Sequence, residues 1–252
     1  HTGGNWASGS APASGDNVFI RDSGTDPIIS TTGVQVTNLT VESSGVLTIN
    51  RDSDLTLSGN FSNSGTVTLN SDNDEFASII VQGTSSGNIV YKRYVADEGN
   101  DEWDLIGSPV AGQSISAFVS ANSSIADGDV QYGIGVFSNN GSTDTAAAMY
   151  SNYTSDGAGS TVNVSAAGNF TAGQGYAMAT DDTAADGSTM DFTGTIRTTD
   201  LTDVAIDDNT SGATNFGKWN LVANPFPSYL NANDDAHGSN NFLTVNITAN
   251  NL

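Results

Sequence analysis

The chain contains no cysteine. Disulfides, thiolate metal sites and cysteine nucleophiles are therefore excluded. Positive charge is almost as scarce: six Lys and Arg stand against 28 Asp and Glu, for a net charge of −22. Nucleic acid and anionic membrane surfaces both call for clustered Lys or Arg, so neither is an expected partner. No apolar run reaches the length of a membrane span, and membrane insertion is not expected. The only histidines are His1 and His237, both in loop-like contexts. No Gly-x-Ser-x-Gly elbow precedes a strand–helix unit, and no His-Glu-x-x-His or phosphate loop occurs. The 28 acids offer carboxylate pairs of the kind glycoside hydrolysis uses, but most sit in turn-like stretches, where Asp stabilises backbone geometry. The sequence therefore assigns no catalytic residue, and the protein is not expected to be an enzyme.

What fills the chain is Gly, Ser, Thr, Asn and Asp. Hydrophobic residues make up 37%, yet three Trp, seven Tyr and ten Phe leave enough apolar bulk for a folded core. This is the composition of many short strands and turns. The expected class is all-β: a short N-terminal parallel β-solenoid-like segment (1–87), followed by an antiparallel β-sandwich (88–252).

The solenoid expectation rests on an internal repeat. Ser43-Ser44-Gly45-Val46-Leu47-Thr48-Ile49-Asn50 is echoed by Asn63-Ser64-Gly65-Thr66-Val67-Thr68-Leu69-Asn70, displaced by 20 residues. Short alternating strands closed by Gly, Asn or Ser, at a period near 20, fit the coils of a parallel solenoid. Leu, Val and Ile would fill the axis, with Thr and Asn outside or stacked. A β-meander is the alternative. Ahead of the repeat, Trp6 reads as a lid on a core.

In the second segment, strands are expected near 103–106, 131–137, 147–153, 160–165, 175–179, 190–196, 202–206 and 218–223, with a short helix near 114–119. Two stretches share one design: Trp103-Asp104-Leu105-Ile106-Gly107-Ser108-Pro109-Val110 and Trp219-Asn220-Leu221-Val222-Ala223-Asn224-Pro225. Their alternation predicts two strands, each burying its indole and each ended by proline, with Trp103, Trp219 and Pro225 as a core motif. The alternative is an indole face open to a sugar ring. The basic pair Lys92-Arg93 is expected to neutralise carboxylates of the 97–104 loop. Phe242, Leu243, Val245 and Ile247 read as a last edge strand, placed to add to a neighbour's sheet.

Oxygen-rich loops make calcium the one cofactor considered, with Asp72, Asp74, Asp127 and Asp129 as candidate ligands. None fits the EF-hand spacing. Tyr132, Tyr150 and Tyr153 are candidate platforms for glycans.

In order along the chain, Asn5-Trp6, Gly15-Asp16-Asn17-Val18-Phe19-Ile20, the Leu-Thr-Ile and Leu-Thr-Leu coils, Tyr91-Lys92-Arg93-Tyr94-Val95 with Trp103–Val110, Asn169-Phe170-Thr171-Ala172-Gly173-Gln174-Gly175-Tyr176 and Trp219–Leu230 resemble a β-rich module of secreted and cell-surface proteins of Bacteroidota exported by the type IX system. The resemblance implies an extracellular or surface-attached protein, often adhesin-like, and carries over no catalytic residue. A start at His1 without Met suits a processed chain. The expected function is an extracellular structural or adhesive unit, able to assemble into a fibre through β edges and terminal-strand exchange. Its partners would be copies of itself, other surface proteins or glycans. The alternative is a carbohydrate-binding module of a secreted polysaccharide-degrading system.

Overall fold

A computed structural model describes residues 6, 9–22, 24–100, 103–139, 150–157, 162–181, 186–202, 204–206 and 219–250. The chain is all-β, with a parallel solenoid leading into an antiparallel sheet.

The solenoid is three-sided. Its first coil is β1 (Asn17–Ile20), β2 (Ile28–Ile29) and β3 (Val34–Val36). The second is β4 (Asn38–Val41), β5 (Val46–Ile49) and β6 (Asp54–Leu57), and the third is β7 (Phe61–Asn63), β8 (Thr66–Leu69) and β9 (Ser78–Val81). A fourth begins with β10 (Ser85–Ser86) and β11 (Asn88–Ala96). Each side is a parallel ladder, and the register places like on like. Val36 pairs with Leu57 and Leu57 with Val81. Ile29, Ile49, Leu69 and Tyr91 form another inward column, each over the next. Alternation in the sequence thus becomes a continuous apolar axis, with Leu57, Ile49 and Leu69 fully buried.

Outside the axis, polar side chains tie coil to coil. Asn38 donates to the Asn17 side chain (2.6 Å) and its own Oδ1 accepts the Asn60 N–H (2.6 Å). Asn60 Oδ1 in turn accepts the N–H and hydroxyl of Thr84. At another corner the repeat needs glycine. A Cβ on Gly65 would lie 2.3 Å from the carbonyl oxygens of Glu42 and Gly45, so the backbones there stack without room for a side chain.

β11 belongs to both regions. It pairs in parallel with β8 and, over its whole length, antiparallel with β17 (Gly187–Thr195). The boundary expected at residue 87 is therefore a change of strand direction within one sheet. The remaining elements are β12 (Asp104–Ile106), α1 (Ile115–Ala121), β13 (Asp127–Gly128), β14 (Gln131–Phe137), β15 (Tyr150–Thr154) and β16 (Tyr176–Met178). They form an antiparallel sheet in the order β12-β16-β14-β13, with β15 also on β14. An aromatic core links this sheet to β17: Phe118 of α1 lies 4.6 Å from Phe192 and 5.2 Å from Phe170, which meets Tyr176 edge-on at 5.1 Å. α1 fulfils the helix expected near 114–119, capped by Ser114, whose hydroxyl accepts the Ala117 N–H.

Several expectations are overturned. Trp103 (40% exposed) and Trp219 (63% exposed) are not core residues. β12 runs in the opposite phase: Ile106 is buried and Asp104 turns inward, its carboxylate accepting the Ala96 N–H at 2.8 Å, which leaves Trp103 and Leu105 outside. Residues 219–223 are not a strand; they make one bridge, Val222 to Gln174. Pro225 is buried as expected. Among the described residues, 202–206 holds no strand, and the stretch near 160–165 yields a short 3-10 helix, Val164–Ala166.

The terminal segment is also corrected. Phe242, Leu243, Val245 and Ile247 lie on a helix, α2 (Phe242–Asn250), not an edge strand. Asn241 caps it, accepting the Thr244 N–H at 2.8 Å. The free N–H groups of Phe242 and Leu243 are taken by the carbonyls of Asn231 and Ala232. With its first turn satisfied this way, the segment winds up despite its β-branched content.

Candidate interaction site at the two ends of the solenoid

A solenoid has two ends, and each ends three ladders at once. At the N-terminal end, β1, β2 and β3 are the outermost strands of their sheets, and among the described residues no strand pairs with their outer edges. Unpaired N–H and C=O groups on such an edge template pairing with another chain. Beside them Phe19 (58%) and Ile28 (52%) are exposed. The axis itself is covered differently: Trp6, Ala11 and Pro12 close over an apolar cavity floored by Val18, Ile29 and Val34. Trp6 packs on the core, as its place in the sequence implied.

The other end is built from residues far apart in the chain. β9 is the outermost strand of its side, and its Ile79 N–H is bonded to the carbonyl of Pro227 at 2.8 Å. Pro225 and Pro227 are both buried. Tyr229 stacks on Phe76 (4.2 Å, 22°) and its hydroxyl donates to the Phe76 carbonyl (3.2 Å). The Arg93 guanidinium lies 4.0 Å over the same ring. Tyr91, beneath, donates to the Ala77 carbonyl, and burial pushes its phenol pKa up, beyond any physiological titration. Toward the antiparallel sheet, Ala223 donates to Gly173 and Gly175 donates to Leu221. Residues 221–229 are thus a strap from the antiparallel sheet to the third solenoid coil.

The predicted site residues fall elsewhere. Asp72 shapes the 70–77 hairpin: it accepts the N–H groups of Glu75 (2.9 Å) and Asp74 (3.2 Å) and pairs with Arg51 (2.7 Å). The Glu75 hydrogen bond, with those of Asp74 and the Arg51 charge behind it, holds its carboxyl below the usual 3.8. Asp74 is exposed, Asp127 lies on the exposed β13, and Asp129 sits at φ 58 in the turn that follows. Among the described residues no three of His, Asp and Glu are grouped to hold a metal ion. His237 Nδ1 accepts the Asn240 N–H at 3.0 Å, a loop contact. Ser85, within Gly83-Thr84-Ser85-Ser86-Gly87, lies on β10 of the solenoid and not at a strand-to-helix turn. Lys92 pairs with Asp191 across β11 and β17 (2.6 Å) and Arg93 with Phe76, so the basic pair serves the sheet and the strap instead of the 97–104 loop. Of the candidate glycan platforms, Tyr153 is buried, while Tyr132 and Tyr150 are half-buried, Tyr150 with its ring against Phe137.

Sequence reasoning missed Phe76, Arg93, Pro227 and Tyr229 as a unit. One signal for it is the concentration of Pro225 and Pro227 in a chain with five prolines. We found no match among curated proteins or among solved structures. A family described as a domain of unknown function (DUF8693) matches residues 1–249, and the chain belongs to that family.

Proposed function

We propose that this protein is an extracellular structural or adhesive unit of a bacterial surface, which associates with copies of itself or with other surface proteins through the strand edges of its first coil. The observation that carries the reading is that, among the described residues, no strand pairs with the outer edges of β1, β2 and β3, beside which Phe19 and Ile28 are exposed. The extracellular location in this reading is supported by the resemblance of the chain's motifs to type IX-exported surface modules of Bacteroidota. Terminal-strand exchange has no part in it, because the terminal segment is α2. The test is analytical ultracentrifugation and electron microscopy of the protein in saline over a wide concentration range. Association that Phe19→Lys abolishes is the expected result; monomers at every concentration reject the self-association.

A second reading draws on Trp103 and Trp219. Both indoles are exposed, and an open ring face stacks on a sugar. In that reading the protein is a carbohydrate-binding module of a polysaccharide-degrading system. Glycan-array binding lost in Trp219→Ala supports it, and an array without a signal removes it.

A further inference from the structure

The strap has a chemical property that its position makes useful. Pro225 and Pro227 have no N–H. The one N–H between them, on Phe226, is bonded to the Asn224 side chain (3.1 Å), whose amide also donates to the Ser228 carbonyl (2.6 Å). Three consecutive residues therefore lie along β9 with no free backbone donor. The Pro227 carbonyl accepts from Ile79 on the inner side, and the three residues offer no donor to a ladder on the outer side.

We propose that residues 224–229 are a built-in stop, which keeps the edge of β9 from pairing with a second copy of this chain. The opposite end has no such device among the described residues. The two ends are thus unequal among the described residues: β1, β2 and β3 all lack an outer partner, whereas at the far end β9 meets the strap and β11 is paired with β17, leaving β10 as the unpaired edge. Edge-to-edge growth along the β3-β6-β9 side then halts at a pair, since a fibre needs two complementary edges on every subunit. This rests on the first-coil reading only for which end associates; the stop itself is a statement about β9 and stands or falls separately.

Tyr229 is the anchor to remove. It is 62% exposed, so its loss leaves the cores intact while taking away the Phe76 stack and the hydroxyl bond. In Tyr229→Ala, the Ile79 amide is expected to exchange at least tenfold faster than in the unaltered protein, read by hydrogen–deuterium exchange. The weight-average mass in sedimentation is expected to rise with concentration beyond that of the unaltered protein. Adding Ile80→Lys, a charge on the outer face of β9, is expected to return the mass to the unaltered value. A second variant, Pro225→Thr with Pro227→Thr, restores donors to the strap and is expected to raise the mass as well. An unchanged Ile79 exchange rate, a freed amide without a rise in mass, or a rise that Ile80→Lys does not reverse would each overturn the stop. Phe19→Lys in the unaltered background tests the first-coil reading alone: unaltered monomers that become dimers in Tyr229→Ala would reject that reading and keep the stop.

Discussion

The solenoid and the antiparallel region solve the same problem with opposite means. In the solenoid, inward residues are mostly aliphatic, with Phe61 and Tyr91 as exceptions, and each meets its counterpart one coil away, 20 to 24 positions along the chain. In the antiparallel region aliphatic residues such as Ile106, Ile115 and Ile134 surround an aromatic cluster, whose members come from α1, β16, β17 and the loop holding Phe170. A repeated fold accumulates stability coil by coil. A non-repeated one depends on a few long-range closures, such as Lys92 with Asp191, 99 positions apart. The difference implies distinct weak points, joined by β11, which both regions share.

The sharpest test of that junction compares one core truncation on each side. Phe192→Ala is expected to cost about 3–5 kcal/mol and Leu57→Ala about 2–5 kcal/mol, both being fully buried. Because β11 is a strand of both sheets, either change is expected to shift one common unfolding transition. Denaturant titrations followed in parallel by circular dichroism and tryptophan fluorescence check this. Two separated transitions would show that the regions unfold independently and that the shared strand does not couple them.

Next in size is the corner glycine. Gly65→Ala places a methyl against two carbonyl oxygens, a strain that extended stacking cannot relieve by rotating a side chain. A loss of roughly 1–3 kcal/mol is expected. Gly15→Ala, where nothing lies within 4 Å, serves as the control and is expected to change stability by less than about 0.5 kcal/mol. Equal effects at both sites would mean that the corner is not set by backbone contact.

The two regions also use asparagine differently. Asn122 is buried and stitches the end of α1 to β17: it donates to the Phe118 and Asp191 carbonyls and accepts the Asp191 N–H at 2.7 Å. Asn38 is a rung on the outside of the solenoid. Asn122→Ala strands a buried donor and is expected to cost roughly 1–3 kcal/mol, against roughly 0.5–1.5 kcal/mol for Asn38→Ala. Chemical denaturation of both variants ranks them, and the reverse order would place the greater need for polar closure in the solenoid.

The same contrast explains what could be read in advance. The match of 43–50 with 63–70 was legible because each coil repeats the previous one, so neighbours in space have look-alikes in sequence. The solenoid, its inward Leu, Val and Ile and its stacked Asn follow directly. The phase of β12 was not legible, because Asp104 faces inward only to meet the Ala96 N–H, a partner that alternation does not reveal. In α2, the run from Phe242 to Thr248 has strand-like composition, and the deciding signal was the single residue ahead of it, the capping Asn241. Trp219 to Tyr229 misled most. Its apolar weight suggested a buried strand, whereas its prolines close an edge, a role that exists only once β9 is in place. The acidic loops offered ligand-like composition, yet Asp72 satisfies its oxygens with its own hairpin and Arg51.

The smallest expected effect tests that last point. Asp72 has its folded-state pKa lowered, first by the Glu75 N–H and less by the Asp74 N–H and Arg51. A depressed carboxyl contributes stability above its unfolded value, near 3.8, and loses it as pH falls through the folded value. The stability difference between the unaltered protein and Asp72→Asn is therefore expected to be constant above about pH 5 and to shrink below pH 4. The carboxylate is partly exposed, so the Arg51 contribution fades in high salt. The hydrogen bond from Glu75 does not, and a remnant is expected to persist at molar salt. Melting curves across pH and salt separate the two causes. A difference that vanishes entirely in high salt would make Asp72 an ion-pair residue. Stabilisation by millimolar calcium beyond that of sodium chloride at equal ionic strength, lost in Asp72→Asn, would instead make it a ligand, and the hairpin would have to release Arg51 to bind.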